Sequence, residues 1–296
     1  LPVVYSPRYV IDIGPHVFPT IKYRLVHDQL LEAGVVSTDD VVEPPTASWE
    51  DLALVHTPDY LARMRDGTLT GEETAQLELP WSEAMVDGFR VMVGGTITAA
   101  RLAIESGRNV AHVGGGLHHA FPSHGEGFCP FNDVAVAVRV LQADGVERAA
   151  VVDLDVHHGN GTAFIFESDP RVFTFSMHQQ HNYPMWKPRG SLDIGLPDGA
   201  DDAAFLEQLG RAMPAVLASR PDCVFYLAGA DPFEEDQLGG LRLTKDGLRE
   251  RDRLVVQAVG DAGIALVVVL AGGYARRVED TVAIHVSTIK EALKGG

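Results

Sequence analysis

The sequence predicts a single-domain, three-layer α/β/α fold with a mainly parallel central sheet, extending over residues 1–296. Three observations carry that expectation. Short apolar, β-branched runs alternate along the chain with longer stretches of helical period, the arrangement of a parallel sheet covered on both faces. A length of 296 residues with 46% hydrophobic content supplies one large core, and no repeat, low-complexity tract or Pro/Ser-rich linker divides it. Four of the expected strands end in small residues followed by a chemically capable side chain, which is where ligands bind in open α/β sheets.

In chain order, Val3–Ser6 reads as the first strand and Pro19–Ala33 as the first helix. A helix over Pro58–Arg65 is announced by Thr57 as N-cap and Pro58 at the first helical position. The long helix Ser82–Glu105 carries Gly94-Gly95, a pair that permits close approach of a neighbour. Strand Asn109–Val113, helix Asn132–Ala143, and strands Ala149–Leu154 and Val172–Ser176 follow. Helix Asp202–Ser219, strand Cys223–Ala228, helix Lys245–Asp261 capped by Thr244, strand Ile264–Ala271 and helix Glu279–Leu293 complete the series.

Composition excludes several classes. A net charge of −17 argues against a surface that tracks nucleic-acid phosphates; such a field would draw in a cationic substrate, although acidic surfaces more often serve solubility alone. Cys129 and Cys223 form no disulfide framework, so a reducing, cytoplasmic setting is expected. The segment Leu1-Pro2-Val3-Val4-Tyr5 lacks the basic and long apolar regions of a signal peptide. The longest apolar run, Ile264–Ala271, is the length of a strand and too short to span a membrane.

The chemistry collects at the strand ends. Asn109–Val113 runs into Gly114-Gly115-Gly116-Leu117-His118-His119, and Ala149–Leu154 into Asp155-Val156-His157. Cys223–Ala228 runs into Gly229-Ala230-Asp231, and Ile264–Ala271 into Gly272-Gly273-Tyr274. If the segment stays extended, Asp153, Asp155 and His157 project to one side and His158 to the other. Taken alone, such a trio equally well stitches a loop to the sheet. Together the four ends offer Asp155, His157 and Asp231 to a metal, with His118, His119 and Tyr274 beside it. Three protein ligands with one open position is the pattern of catalytic zinc, and a two-oxygen, one-nitrogen set also suits Fe²⁺ or Mn²⁺. A metal-assisted hydrolase is the class this implies.

The combination GGGLHH (114–119), GFCPFND (127–133), DLDVHHGNG (153–161), Asp231 after AGA, LGGL (238–241) and AGGY (271–274) resembles the histone deacetylase superfamily. With VVYSPRY near the N-terminus it is most similar to the class IV deacetylases and their bacterial relatives. The resemblance implies an arginase/deacetylase-like fold and Zn²⁺ on Asp155, His157 and Asp231. It makes His119 the general base and later acid, His118 its electrostatic support, and Tyr274 the donor to the carbonyl oxygen. Asp153 would pair with His118 and Asn160 with His119. Since Asn carries no charge, His119 should be less basic than with a carboxylate partner. A structural K⁺ would take Asp153, the carbonyls of Asp155, His157 and Met177, and the Ser176 hydroxyl. Gly127, Phe128 and Tyr183 would line an acyl-lysine tunnel, with Leu117, Gly272 and Gly273 at its inner end.

The implied reaction removes an acetyl or longer fatty acyl group from the Nε of lysine in a protein or peptide. Its alternative is hydrolysis of an acetylpolyamine or another small acylated amine. Two departures bear on that choice. Leu79-Pro80-Trp81-Ser82 shows no acid where many relatives clamp a peptide backbone, and Leu117 replaces a common aromatic, so a wider inner cavity is expected. A dimetal ureohydrolase would need an aspartate where Gly159 stands, and a catalytically dead acyl-binding module would lack groups that are all present here. Glu234-Glu235-Asp236 reads as a solvated loop, with a polycation-selective rim as the alternative, and His16, His27, His56, His112 and His285 read as ordinary surface or core residues.

Overall fold

Ala149-Ala150-Val151-Val152 is buried along its whole length, as a parallel strand between two helical layers must be. The computed structural model describes residues 2–294 and places this run in the middle of one sheet. The strands are β1 (Val3–Val4), β2 (Val41–Val42), β3 (Val110–His112), β4 (Ala149–Asp153), β5 (Val172–Gln179), β6 (Leu192–Leu196), β7 (Cys223–Leu227) and β8 (Ala265–Val269). They lie in the order β2-β1-β3-β8-β7-β4-β5-β6, and every pairing is parallel. The helices are α1 (Ile21–Glu32), α2 (Trp49–Leu52), α3 (Pro58–Asp66), α4 (Gly71–Leu77), α5 (Glu83–Ser106), α6 (Asp133–Ala143), α7 (Asn160–Phe166), α8 (Asp202–Ala218), α9 (Lys245–Asp261) and α10 (Val278–Lys294).

Strand alternation divides the core into two layers. Val151, Phe225 and Val267 point to one face with residues of α1, α5 and α6, while Val152, Val224 and Val268 point to the other with residues of α8 and α9. Helix α5 can lie close to the chain before it because Gly94 has no side chain: a Cβ there would sit 1.9 Å from the Pro45 carbonyl oxygen. The expected caps at Thr57 and Thr244 are present, accepting from the backbone N–H of Tyr60 and Gly247.

Register explains why the site forms where it does. His112, Val269, Leu227, Asp153 and Ser176 are successive neighbours in one row across β3, β8, β7, β4 and β5. Every segment carrying candidate chemistry leaves the sheet from this row, on the same edge. Chain order also breaks here, since β3 leads to β4 while β8 and β7 lie between them, which opens the crevice typical of such folds.

The sequence reading needs correction at several elements. β6 was not anticipated, because Leu-Asp-Ile-Gly-Leu at the sheet edge is only partly buried and carries no continuous apolar run. The two-residue strand β2, the single-turn α2 and the short helices α4 and α7 were also absent from it. Thr70 caps α4 reciprocally with Glu73, and α7 begins at Asn160 within what reads as a glycine turn. The extended geometry assumed beyond Asp153 does not occur: β4 ends at that residue, and 155–157 bend.

Candidate active site

That bend brings Asp155 and His157 together. The Asp155 Oδ1 accepts from the backbone N–H of His157 at 2.9 Å and lies 3.0 Å from His157 Nδ1. Asp231, on the loop after β7, turns Oδ1 onto the Val156 N–H at 2.8 Å and Oδ2 toward His157 Nδ1 at 3.4 Å. Ligand atoms of Asp155, His157 and Asp231 all lie within 4.8 Å of one another, and all three residues are buried. Fully buried Arg251 braces the two loops by donating to the carbonyls of Leu154 and Gly229.

This trio fits a divalent cation on three observations. Asp231 Oδ2 is buried without a hydrogen-bond partner, a costly state unless something else satisfies it. Gly272 leaves a cradle over the carboxylates, since a Cβ there would fall 2.0 Å from Asp231 Oδ2 and 2.5 Å from Asp155 Oδ2. The charge balance calls for a cation as well. Burial and the Asp155 charge push Asp231 up to about 7, and although burial opposes it, Asp155 and Asp231 raise His157 to about 10.

The tandem histidines meet the trio from the loop after β3. Asp133, buried at the start of α6, accepts from the backbone N–H of Gly116 and Leu117 and so holds that loop. Gly116 at φ +83° packs against Ala271, where a Cβ would lie 2.6 Å from the Ala271 Cα, so the loops after β3 and β8 touch. His118 Nδ1 donates to Asp153 Oδ2 at 2.7 Å, His119 Nδ1 donates to Asn160 Oδ1 at 2.7 Å, and the two Nε2 atoms are 3.0 Å apart. The rings differ electrostatically. Burial lowers both, but Asp153 and Asp155 overcome it at His118 and hold that ring at about 9. His119 falls well below the ordinary value through burial and the neighbouring His118 and His157. One imidazole is thus charged and the other neutral near pH 7.

Tyr274 completes the centre. Its hydroxyl remains protonated, because burial and then the charges of Asp155 and Asp231 raise it well above the ordinary phenol value. Tyr274, His119, His157, Gly127, Phe128, Tyr183, Asn182, Leu238 and Glu78 line a cavity of about 200 Å³. Behind it lies a narrow pocket of about 20 Å³ bounded by Leu117, Gly272, Phe18, Tyr23 and the histidines. Phe128 adopts φ +66°, an uncommon backbone for a bulky residue, and presents its ring to Tyr274 at 5.9 Å between centroids. Gly273, the residue before the tyrosine, adopts φ +147°, and a Cβ there would lie 2.8 Å from Thr281 Cγ2. Leu117 does not open the wide inner cavity expected of it.

Ser176 neighbours Asp153 across β4 and β5, and its hydroxyl lies 3.0 Å from His178 Nδ1; Met177 is the next residue of β5 and is buried. His158 is buried away from the centre, 3.3 Å from Asp193. His56 and His112 have partners that the sequence did not reveal: His56 pairs with the Phe121 carbonyl and the Asn132 N–H, and His112 with Tyr9 and Thr96.

Sequence reasoning also missed four site residues. Asp236, read as part of a solvated loop, is buried, and its carboxylate accepts from the N–H groups of Leu238, Gly239 and Tyr274. Its partners are the LGGL and AGGY motifs, the only hint the sequence offered. Lys22 of α1 is fully buried and donates to the Ala271 carbonyl at 2.9 Å, with Nζ 5.6 Å from the Tyr274 ring centroid. Burial lowers it to about 8 against the pull of Asp231, Asp155 and Asp236. Glu78 places an acid at the cavity mouth one residue before the stretch searched for one. Glu126 bonds to both Asn160 and Tyr183.

Comparison with known proteins follows the same outline. The family model described as the histone deacetylase domain matches residues 16–289. An uncharacterized protein of Picosynechococcus is 47% identical over 96% of this chain and 95% of its own length. Histone deacetylase 2 of Arabidopsis thaliana is 31% identical over 92% of this chain and 74% of its own. The acetoin utilization protein AcuC of Bacillus subtilis is 34% identical over 85% and 71%. Among solved structures, the HDA15 HD domain superposes with a TM-score of 0.81 at 25% identity, covering 99% of this chain and 91% of that one.

Proposed function

The chain belongs to the histone deacetylase family of deacetylase hydrolases, and on that premise we propose that it removes an acetyl group from the Nε of lysine in a protein or peptide. One observation carries this reading. A buried carboxylate–imidazole–carboxylate trio with an unsatisfied oxygen faces a neutral imidazole and a protonated phenol at the foot of a lysine-sized cavity. Asp155, His157 and Asp231 would hold Zn²⁺, with Fe²⁺ or Mn²⁺ as alternatives, to supply Lewis acidity for the carbonyl and the attacking water.

The residues account for the rest. His119 keeps its proton on Nδ1, bonded to Asn160, and so offers the Nε2 lone pair to the attacking water. The same atom then returns the proton to the leaving amine. His118, charged and tied to Asp153, is a poor base and instead favours negative charge developing beside it. Tyr274 donates its hydroxyl proton in a hydrogen bond to the oxyanion, and Asp236 fixes the tyrosine backbone. The lysine stem would lie between Phe128 and Tyr183, with Gly127 leaving room.

Acyl length follows from volume. A space of about 20 Å³ holds roughly one water-sized group, which matches the acetyl methyl and leaves no room for a fatty chain. On one peptide sequence, kcat/KM for the acetyl form should therefore exceed that for the myristoyl form by about tenfold or more, since overpacking a filled site costs roughly 1–3 kcal/mol. Equal or faster demyristoylation would contradict this, and inactivity on every acyl-lysine peptide would overturn the proposal. Glu78 at the mouth favours one second reading, an acetylpolyamine whose distal ammonium meets that carboxylate, and an acetylated diamine in the same series separates the two.

The proposal retains a K⁺ ion on Asp153, Ser176 and the carbonyls of Asp155, His157 and Met177, supported by the adjacency of Asp153 and Ser176 on β4 and β5. It also retains the class IV likeness. A cytoplasmic setting suits the free, buried Cys129 and Cys223. No helix among the described residues is long and apolar enough to cross a membrane.

A further inference from the structure

We propose that Glu126 fixes the tautomer of His119 by fixing which end of the Asn160 side-chain amide faces the imidazole. The inference rests on His119 acting as the base in the hydrolysis proposed above. Asn160 lies between the two residues, with Oδ1 2.7 Å from His119 Nδ1 and Nδ2 2.8 Å from Glu126 Oε1. An amide has one accepting and one donating end, and either can be turned toward an imidazole nitrogen. Turned one way it accepts from Nδ1–H and leaves Nε2 as the base. Turned the other way it donates to Nδ1, and the ring proton moves to Nε2, where it blocks the chemistry.

A carboxylate removes that freedom because it has no proton to give. Glu126 Oε1 accepts from Asn160 Nδ2 and from the Tyr183 hydroxyl at 2.7 Å, while Oε2 accepts from Gln76 Nε2 at 3.0 Å. Burial alone would raise this carboxyl, but hydrogen bonds from His124, Tyr183, Asn160 and Gln76 hold it below the ordinary value, so it stays ionised. Flipping the amide would set its oxygen against the Glu126 oxygen and lose two good hydrogen bonds. On the other side, charged His118 donates from Nε2 to His119 Nε2 at 3.0 Å and favours the same tautomer, so the two contacts act together on one ring. The Asn160 end is set by an acceptor that cannot reverse. Glu126 is therefore a positioning residue, acting through Asn160 on a base it does not touch.

The test is ¹⁵N NMR of the histidine ring nitrogens together with steady-state kinetics, on zinc-loaded wild type, Glu126→Ala, Tyr183→Phe and the double variant Glu126→Ala/Asn160→Asp. Wild type should show His119 protonated at Nδ1. Glu126→Ala should shift the pattern toward Nε2 and lower kcat by at least about tenfold, within the 10²–10⁴-fold that a general base contributes, while KM changes much less. The double variant should restore the Nδ1–H pattern and most of kcat, because a carboxylate at 160 can only accept. Tyr183→Phe removes the other bond to the same Glu126 oxygen and should leave the tautomer alone. The proposal is overturned if Glu126→Ala keeps the wild-type ring pattern, if Tyr183→Phe shifts the ring pattern as Glu126→Ala does, or if the double variant stays impaired. Should wild type turn over no acylated amine, the deacetylase reading fails, and the ring pattern still decides the role of Glu126.

Discussion

His157→Ala is expected to abolish stoichiometric metal binding and, with it, turnover of acetyl-lysine peptides. The imidazole is the one nitrogen in a buried trio whose remaining members are carboxylates at close range, Asp155 pushing Asp231 up to about 7 once burial has raised it. Without His157 two like charges face each other, and a cation finds two ligands instead of three. The loss of affinity should exceed the roughly 10–100-fold that removing a ligand's outer partner costs. Asp231→Asn should act similarly on metal content, with an added signature. The metal-free variant should be no less stable than metal-free wild type, because the substitution removes a charge that burial and Asp155 both disfavour while Oδ1 still accepts from the Val156 N–H. Metal analysis after dialysis and thermal unfolding in chelator check the two halves. Stoichiometric zinc retained by His157→Ala would break the ligand assignment.

Tyr274→Phe should leave metal binding intact and lower kcat by about 10²–10³, the cost of removing one oxyanion donor. The ring is anchored independently of its hydroxyl. Asp236 holds the backbone N–H, Phe18 and Phe128 pack edge-on, and Lys22 sits over the ring, so phenylalanine should occupy the same place. KM should change little, since the lost hydrogen bond strengthens only as negative charge develops on the carbonyl oxygen. Wild-type kcat in this variant would refute the oxyanion role, and lost metal would show that Tyr274 supports the centre by other means.

The strand ends were legible because their chemistry is written in short local motifs. GGGLHH, DLDVHH, AGA-Asp231 and AGGY each follow an apolar run, and the shared row across β3, β8, β7 and β4 brings them together. The partners Asp153 and Asn160 were accessible through the resemblance, and each lies 2.7 Å from its histidine. Residues that reach the site from outside those motifs stayed hidden. Lys22 lies in a stretch whose period reads as an ordinary helix, and only the packing of α1 carries its Nζ to Ala271. Asp236 sits beside two exposed glutamates, so its charge read as solvated until three backbone N–H groups were found on it. Glu78 and Glu126 belong to loops, where position depends on tertiary contacts that no periodicity encodes. Edge strand β6 was missed for a related reason: half-buried strands need no continuous apolar run.

The most direct test of the central claim follows acetate and free lysine released from an Nε-acetyl-lysine peptide, first as purified, then after chelation, then with Zn²⁺ restored. The account predicts equal release of the two products, loss of activity on chelation, and recovery at about one Zn²⁺ per chain. Turnover that persists in metal-free protein, or none on the acetylated peptide at full zinc occupancy, would contradict it.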